Sequence, residues 1–279
     1  MPLADCPHDD TALLAQTGID PLPPASEGLF RAGSWLRRIH GESALIFGGG
    51  RALLLEVAHP LVAAGVAEHS KFRTDPLGRL RRTLDAMHAI GFGDRAAALA
   101  AARSVHRAHA RVHGRLADGA GASYPAGTPY HGREVDLVVW VWATLVDTAV
   151  CVYEWFVAAL SPSARESYYV EQRAIARLLG APDASLPRDY ASFRVWFDAC
   201  VAGDTLFVTP VAREIADSVL TPTPGLPDTA QVRLITAALL PERVRDGFGL
   251  RFEAKQRARF DALVRSVRSL RAEAEARSA

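Results

Sequence analysis

Cysteine is scarce in this chain, and its pattern excludes more than it permits. Cys6, Cys151 and Cys200 are odd in number, far apart and form no C-x-x-C pair. That argues against a disulfide framework and against a thiolate zinc site, and it favours a reducing compartment, the cytoplasm. Charge of one sign is lacking too. The 32 basic and 31 acidic residues leave a net charge of +1, so no nucleic-acid footprint and no acidic tail is expected. The opening stretch MPLADCPHDDTALL has no basic segment followed by an apolar core, and no secretory signal is expected from it. No internal repeat, no sustained alternation of apolar and polar residues and no H-E-x-x-H occurs.

What is abundant is Ala, Leu and Arg at helical spacing. Apolar residues make up 49% and charged residues 23% of 279 positions, an ordinary balance for one large globular domain. The spacing predicts an all-α, single-domain helical bundle over residues 26–279, preceded by an arm at 1–25 in loop. Helices are expected at 28–40 and 49–68, the latter bent at His59-Pro60. A third starts at a Thr74 or Asp75 cap with Pro76 in its first turn, and a fourth covers 94–114. A Gly-rich loop then leads to an apolar helix at 137–160, followed by helices from the Ser161-Pro162 cap to Gly180, at 189–202, 230–240 and 252–275. The stretch TPTPGLPDT, 221–229, reads as a linker. The 137–160 segment is long enough to cross a bilayer, but Asp147 and Glu154 interrupt it on one face. Membrane-buried carboxylates are costly, so it reads as the core of a bundle and not as an integral span. The triplet in FGGGR, 47–51, has no preceding strand and no following Lys-Ser/Thr. It reads as a close-packed helix start and not as a phosphate loop.

Three of the nine histidines fall within RSVHRAHARVHGR, 103–115. At about 100° per residue, His106, His109 and His113 lie at roughly 0°, −60° and −20°, while Val105, Val112 and Leu116 centre near roughly −100°. His109 is therefore nearest the apolar stripe, and a buried imidazole needs a partner or a metal. Four readings stand side by side: a core histidine bonded to a carbonyl, a zinc ligand, a di-iron ligand, or a haem ligand. The single Glu-x-x-His, Glu56 and His59, has no second copy to complete a di-iron set.

Several longer stretches carry a resemblance. LLLEVAHPLVAAGVAEHSKFRTDPLGRLRRTLDAMHAIGFG, VHRAHARVHG, YPAG, LVVWVWATLVDT and LSPSARESYYVEQRAIARLLGAP, together spanning about residues 30 to 250, resemble the DUF2236 family. That family includes the rubber oxygenases (latex clearing proteins) and the fungal oxygenases that shorten prenyl side chains. The resemblance implies an α-helical fold around a pocket for haem b, with one histidine as axial ligand of the iron. His109 in HARVHG matches it, with His106 and His113 flanking and His59 and Trp142 as further pocket residues. The rubber-oxygenase branch carries an Arg, a basic residue and a Thr above the distal face, matched here by Arg79, Arg82 and Thr83. There the central residue is a lysine able to approach iron, whereas the Arg82 guanidinium stays protonated and does not ligate it. Trp142 stands where relatives often have a histidine, which makes the pocket more apolar. The implied function is a haem b-dependent oxygenase using O₂ on a small apolar or prenyl-like substrate. Two alternatives remain: a non-haem mono- or di-iron enzyme built on Glu56, His59 and His106, and a non-catalytic haem-binding protein. Asp147 is expected to accept hydrogen bonds, and Tyr124 to pack. Oligomeric state is not indicated.

Overall fold

The computed structural model describes residues 9–70, 72, 75–220 and 229–278. Its first helix is a departure from expectation. The arm forms α1 (Asp10–Thr17), capped by the Asp9 carboxylate accepting from the Thr11 amide at 3.1 Å and closed by Gly18 in the left-handed region at φ 65°. Both caps stand in DDTALLAQTG, and Leu13 and Thr17 are buried as α1 packs on α8 (Pro162–Leu178). Residues 1–8, Thr74 and residues 221–228 of the expected linker lie outside the described residues.

The expected 28–40 helix is shorter, α2 (Trp35–His40), started by Ser34. The long helix at 49–68 divides into α3 (Gly49–Ala58) and α4 (Pro60–His69), with a bend of 107° across the break. Pro60 cannot donate to an α3 carbonyl, and the His59 ring replaces the lost order by accepting from the Leu61 amide at 3.3 Å. The glycine triplet works as a close approach. A β-carbon on Gly50 would stand 2.1 Å from Thr236 Oγ1, and one on Gly48 would stand 2.6 Å from Thr148 Cγ2.

Next come α5 (Pro76–Phe92), capped by Asp75, and α6 (Arg95–Ala110), capped by Asp94; the two pack together. α6 ends four residues before Gly114, and the chain enters a small antiparallel ladder of β1 (His113–Arg115) and β2 (Pro129–His131). The register pairs Gly114 with Tyr130. The apolar segment forms α7 (Val135–Phe156), the central helix. It stops short of 160 because the Glu154 carboxylate accepts the Leu160 amide at 3.3 Å and turns the chain toward the Ser161 cap of α8. α7 has the length and apolarity of a membrane span, and 72% of that stretch is buried inside the protein. Around it follow α9 (Tyr190–Ala202), α10 (Pro210–Leu220), α11 (Thr229–Leu239), α12 (Glu242–Gly247) and α13 (Ala254–Ser278). The described chain is thus an all-α domain whose core is built on α7, with Trp140, Trp142, Val146 and Val150 all buried.

Candidate active site

The two ends of α7 face different surroundings. Leu137, Val138, Val141, Trp142 and Leu145, on its first half, form one wall of a chamber of about 300 Å³. Leu61, Val62 and Val66 of α4 and Ile175 and Leu179 of the α8 end complete the apolar surface. Glu56, His69, His109, Tyr130 and Gln172 are the larger polar side chains among the lining residues. Volume and character fit a small-molecule site of apolar walls with few polar groups.

His109 sits in the last turn of α6. Its backbone is fixed on both sides: its carbonyl accepts from the Val112 amide at 3.1 Å, and Gly132 of the hairpin donates to the Val112 carbonyl at 2.7 Å. Gly132 is required there, since a β-carbon would lie 2.8 Å from the His109 carbonyl oxygen. His109 is half-buried by its own surface and lines the chamber. Burial, reinforced by the charges of His106 and Arg133, pushes its pKa down to about 4. The ring is therefore neutral at pH 7. Among the described residues neither of its nitrogens has a hydrogen-bond partner.

The other histidines of the stripe are placed differently. His106 is the more deeply buried, at 5% exposure, and its Nε2 donates to the Leu178 carbonyl at 3.0 Å. It is the carbonyl-bonded core histidine. His113 is not on the helix at all: α6 is capped at Arg111, so the wheel has no third position. His113 lies exposed on β1, stacked on His131 with ring centroids 6.0 Å apart. His59 is buried but outside the chamber lining, and both nitrogens are spent. Its Nδ1 accepts from Leu61, so Nε2 carries the proton and donates to Tyr124 Oη at 3.1 Å, which in turn donates to the Thr205 carbonyl at 3.3 Å. Burial holds this ring at a pKa of about 4. The set Glu56, His59 and His106 is thus not assembled, and no cluster of three His, Cys, Asp or Glu with metal-binding geometry occurs among the described residues.

Trp142 is in the chamber wall, its Nε1 donating to the Gln172 carbonyl at 3.0 Å. Arg82 and Thr83 are exposed on α5 and outside the lining; Arg82 pairs with Asp75 at 3.2 Å. The Arg79 side chain lies outside the described residues. Among the described residues, Met87 is the one that α5 contributes to the chamber lining. His69, Tyr130 and Gln172 were not legible as site residues: His69 stands in the resembling stretch, but nothing in spacing separates it from an ordinary helix end.

The second half of α7 faces a larger cleft, about 670 Å³, and there the charges are matched. Asp147 is buried between Arg51 and Arg194, and Arg51 also donates to Thr148 Oγ1 at 2.6 Å and to the Leu239 carbonyl at 2.8 Å. Asp147 accepts hydrogen bonds as expected, from arginines and not from a histidine. Glu154 accepts from Arg165 Nε at 2.8 Å.

The fold is all-α, and among the described residues it holds a neutral imidazole without a hydrogen-bond partner on the wall of an apolar chamber. Residues 37–269 match the family described as "ER-bound oxygenase mpaB/B'/Rubber oxygenase, catalytic domain", and the chain belongs to that family. Its chemistry is accordingly that of an oxygenase. No curated protein and no solved structure matches the chain.

Proposed function

We propose that the protein is a haem b-dependent oxygenase acting with O₂ on a small apolar or prenyl-like substrate, with His109 as the residue that would hold the haem iron. The observation that carries this reading is the neutral His109 imidazole facing an apolar chamber with no partner among the described residues. Neutral imidazole is the ligating form, and a lone imidazole on an all-α scaffold is a donor set that fits haem iron. It does not fit a closed zinc or carboxylate-bridged site, which needs several converging ligands.

When bound, haem supplies the redox chemistry at O₂. The chain does the rest. The α6 end and Gly132 fix the backbone at His109. Burial keeps the ring unprotonated down to a pKa of about 4, so ligation does not compete with a proton at neutral pH. The walls from α4, α7 and α8 are apolar and would favour an apolar substrate by area removed from solvent.

An absorption spectrum of the protein expressed with haem precursor, beside His109→Ala, tests the reading. An intense Soret band in the wild type, lost or strongly shifted in the variant, is expected. A band unchanged by the substitution would remove His109 from the iron, and no band despite adequate haem supply would overturn the haem reading.

A further inference from the structure

The chamber holds one more polar group with unspent hydrogen-bonding capacity, on Gln172 of α8. The residue is 2% exposed and lines the chamber. Its backbone carbonyl is taken by Trp142. Its amide nitrogen donates to Tyr168 Oη at 2.9 Å and lies 3.0 Å from His40 Nε2, while Tyr168 Oη is itself 2.9 Å from that nitrogen. Burial pushes the His40 pKa down to about 4, so its ring is neutral, and toward the amide nitrogen, which can only donate, Nε2 is the acceptor. The amide N–H groups are thereby drawn into the triangle with Tyr168 and His40. Tyr168 and Gln172, four apart on one helix face, hold the amide in a single orientation. A planar amide with its nitrogen bonded on one side turns its oxygen to the other. Among the described residues Gln172 Oε1 has no partner.

Two of the other polar side chains of the wall are engaged within the protein. Tyr130 donates its hydroxyl to Glu68 at 2.6 Å, and His69 Nε2 donates to the His113 carbonyl at 3.0 Å. Glu56 has an interaction of its own. An acceptor in an apolar wall that is matched by a ligand donor discriminates strongly for that ligand.

We propose that Gln172 positions the substrate, its Oε1 accepting a hydrogen bond from a hydroxyl group, so that the protein takes hydroxylated prenyl-like molecules in preference to pure hydrocarbons. This rests on the chamber being the substrate site of the oxygenase reading above.

Geraniol and its hydrocarbon analogue, with a methyl group in place of the hydroxyl, are a matched pair of probes. Titrated into the purified haem-loaded protein and followed by calorimetry, geraniol is expected to bind about tenfold tighter. In Gln172→Met, which keeps the volume and removes the amide, the preference disappears while the hydrocarbon binds as before. Tyr168→Phe releases the amide without removing it and is expected to cut the preference by at least half; it decides the matter if Gln172→Met does not fold. Equal binding of the two probes by the wild type, or a preference that survives both substitutions, overturns the proposal. The Soret band of the same samples reports haem separately. Haem present without alcohol preference sinks only the role of Gln172, and absent haem sinks only the cofactor.

Discussion

The chamber and the charged cleft lie along one helix, and the cleft is the larger space, about 670 Å³ against 300 Å³. Size alone does not mark the site proposed above. In the cleft, Asp147 meets Arg51 and Arg194, Glu154 meets Arg165, and Arg268 donates to the Glu154 and Trp155 carbonyls at 2.7 and 2.9 Å. These charges are spent holding α3, α8, α9 and α13 to α7. In the chamber the polar groups are fewer, and His109 and the Gln172 amide oxygen keep capacity that the fold does not use. Polar groups that serve stability are matched within the protein, whereas those that serve a ligand are left for it.

If that contrast is right, the two ends break differently. Asp147→Ala leaves the Arg51 guanidinium buried at 4% exposure without its carboxylate, which costs about 3–5 kcal/mol. Urea unfolding should show this loss, and the double variant Arg51→Met/Asp147→Leu should recover part of it, because apolar side chains replace the Arg51–Asp147 pair while Arg194 keeps Asp198 as a partner. A loss under 1 kcal/mol (roughly the worth of an exposed pair) would mean that the cleft charges are solvated and not structural.

The next effect lies at the chamber end and depends on pH. The His59 ring, adjoining the chamber at the α3–α4 break, has a folded pKa of about 4 against an ordinary value of 6.5. Between those values the unfolded chain binds a proton that the folded chain refuses, so stability falls as pH falls below 6.5. At pH 5 the loss from this one ring is about 2 kcal/mol. His59→Asn keeps a side-chain acceptor for the Leu61 amide and cannot titrate. Its stability deficit against the wild type should therefore shrink by about that amount between pH 7.5 and pH 5. A deficit that stays constant over this range would show that His59 is not buried neutral.

Gly50 sharpens the comparison from the packing side. A β-carbon there meets Thr236 Oγ1 at 2.1 Å, so Gly50→Ala should cost about 1–3 kcal/mol by overpacking. Thr236→Ala in the same chain should restore most of it by vacating that volume. Failure of the second substitution to rescue the first would place the strain in the α3 backbone.

How much of this was legible in the sequence follows from what local signals can carry. The Asp75-Pro76 and Ser161-Pro162 starts, the His59-Pro60 break and the buried α7 all stood in capping and hydropathy patterns, because each is decided within a few residues. The α6 end was not. H-x-x-x-H continues the helical spacing, and only the hairpin docking Gly132 on His109 shows that the chain has left the helix. His109 emerged from the wheel because an apolar stripe is a local property. Gln172 did not, since its significance depends on His40, 132 residues away, and on where the Trp142 indole donates. The α1 caps at Asp9 and Gly18 stand in the sequence, but an eight-residue helix carries too short a pattern to mark itself against loop.

The smallest expected effect concerns Arg82, the residue where family resemblance and position in the fold diverge most. Its guanidinium is 62% exposed and pairs with an Asp75 carboxylate that is 45% exposed, a solvent-screened pair whose removal changes stability by less than about 0.5 kcal/mol. Arg82→Ala should therefore leave the unfolding midpoint in place. Because α5 reaches the chamber through Met87 and not through Arg82, the variant should also keep the wild-type Soret band and O₂ consumption with an apolar alkene. Met87→Ala, by contrast, enlarges the chamber and should weaken hydrocarbon binding through lost contact area. A fall in turnover in Arg82→Ala with midpoint and Soret band both unchanged would assign α5 a second position, rotated to bring Arg82 over the chamber during the reaction. The matched charges of the cleft would then mark the rigid end of the molecule, and α5 its moving end.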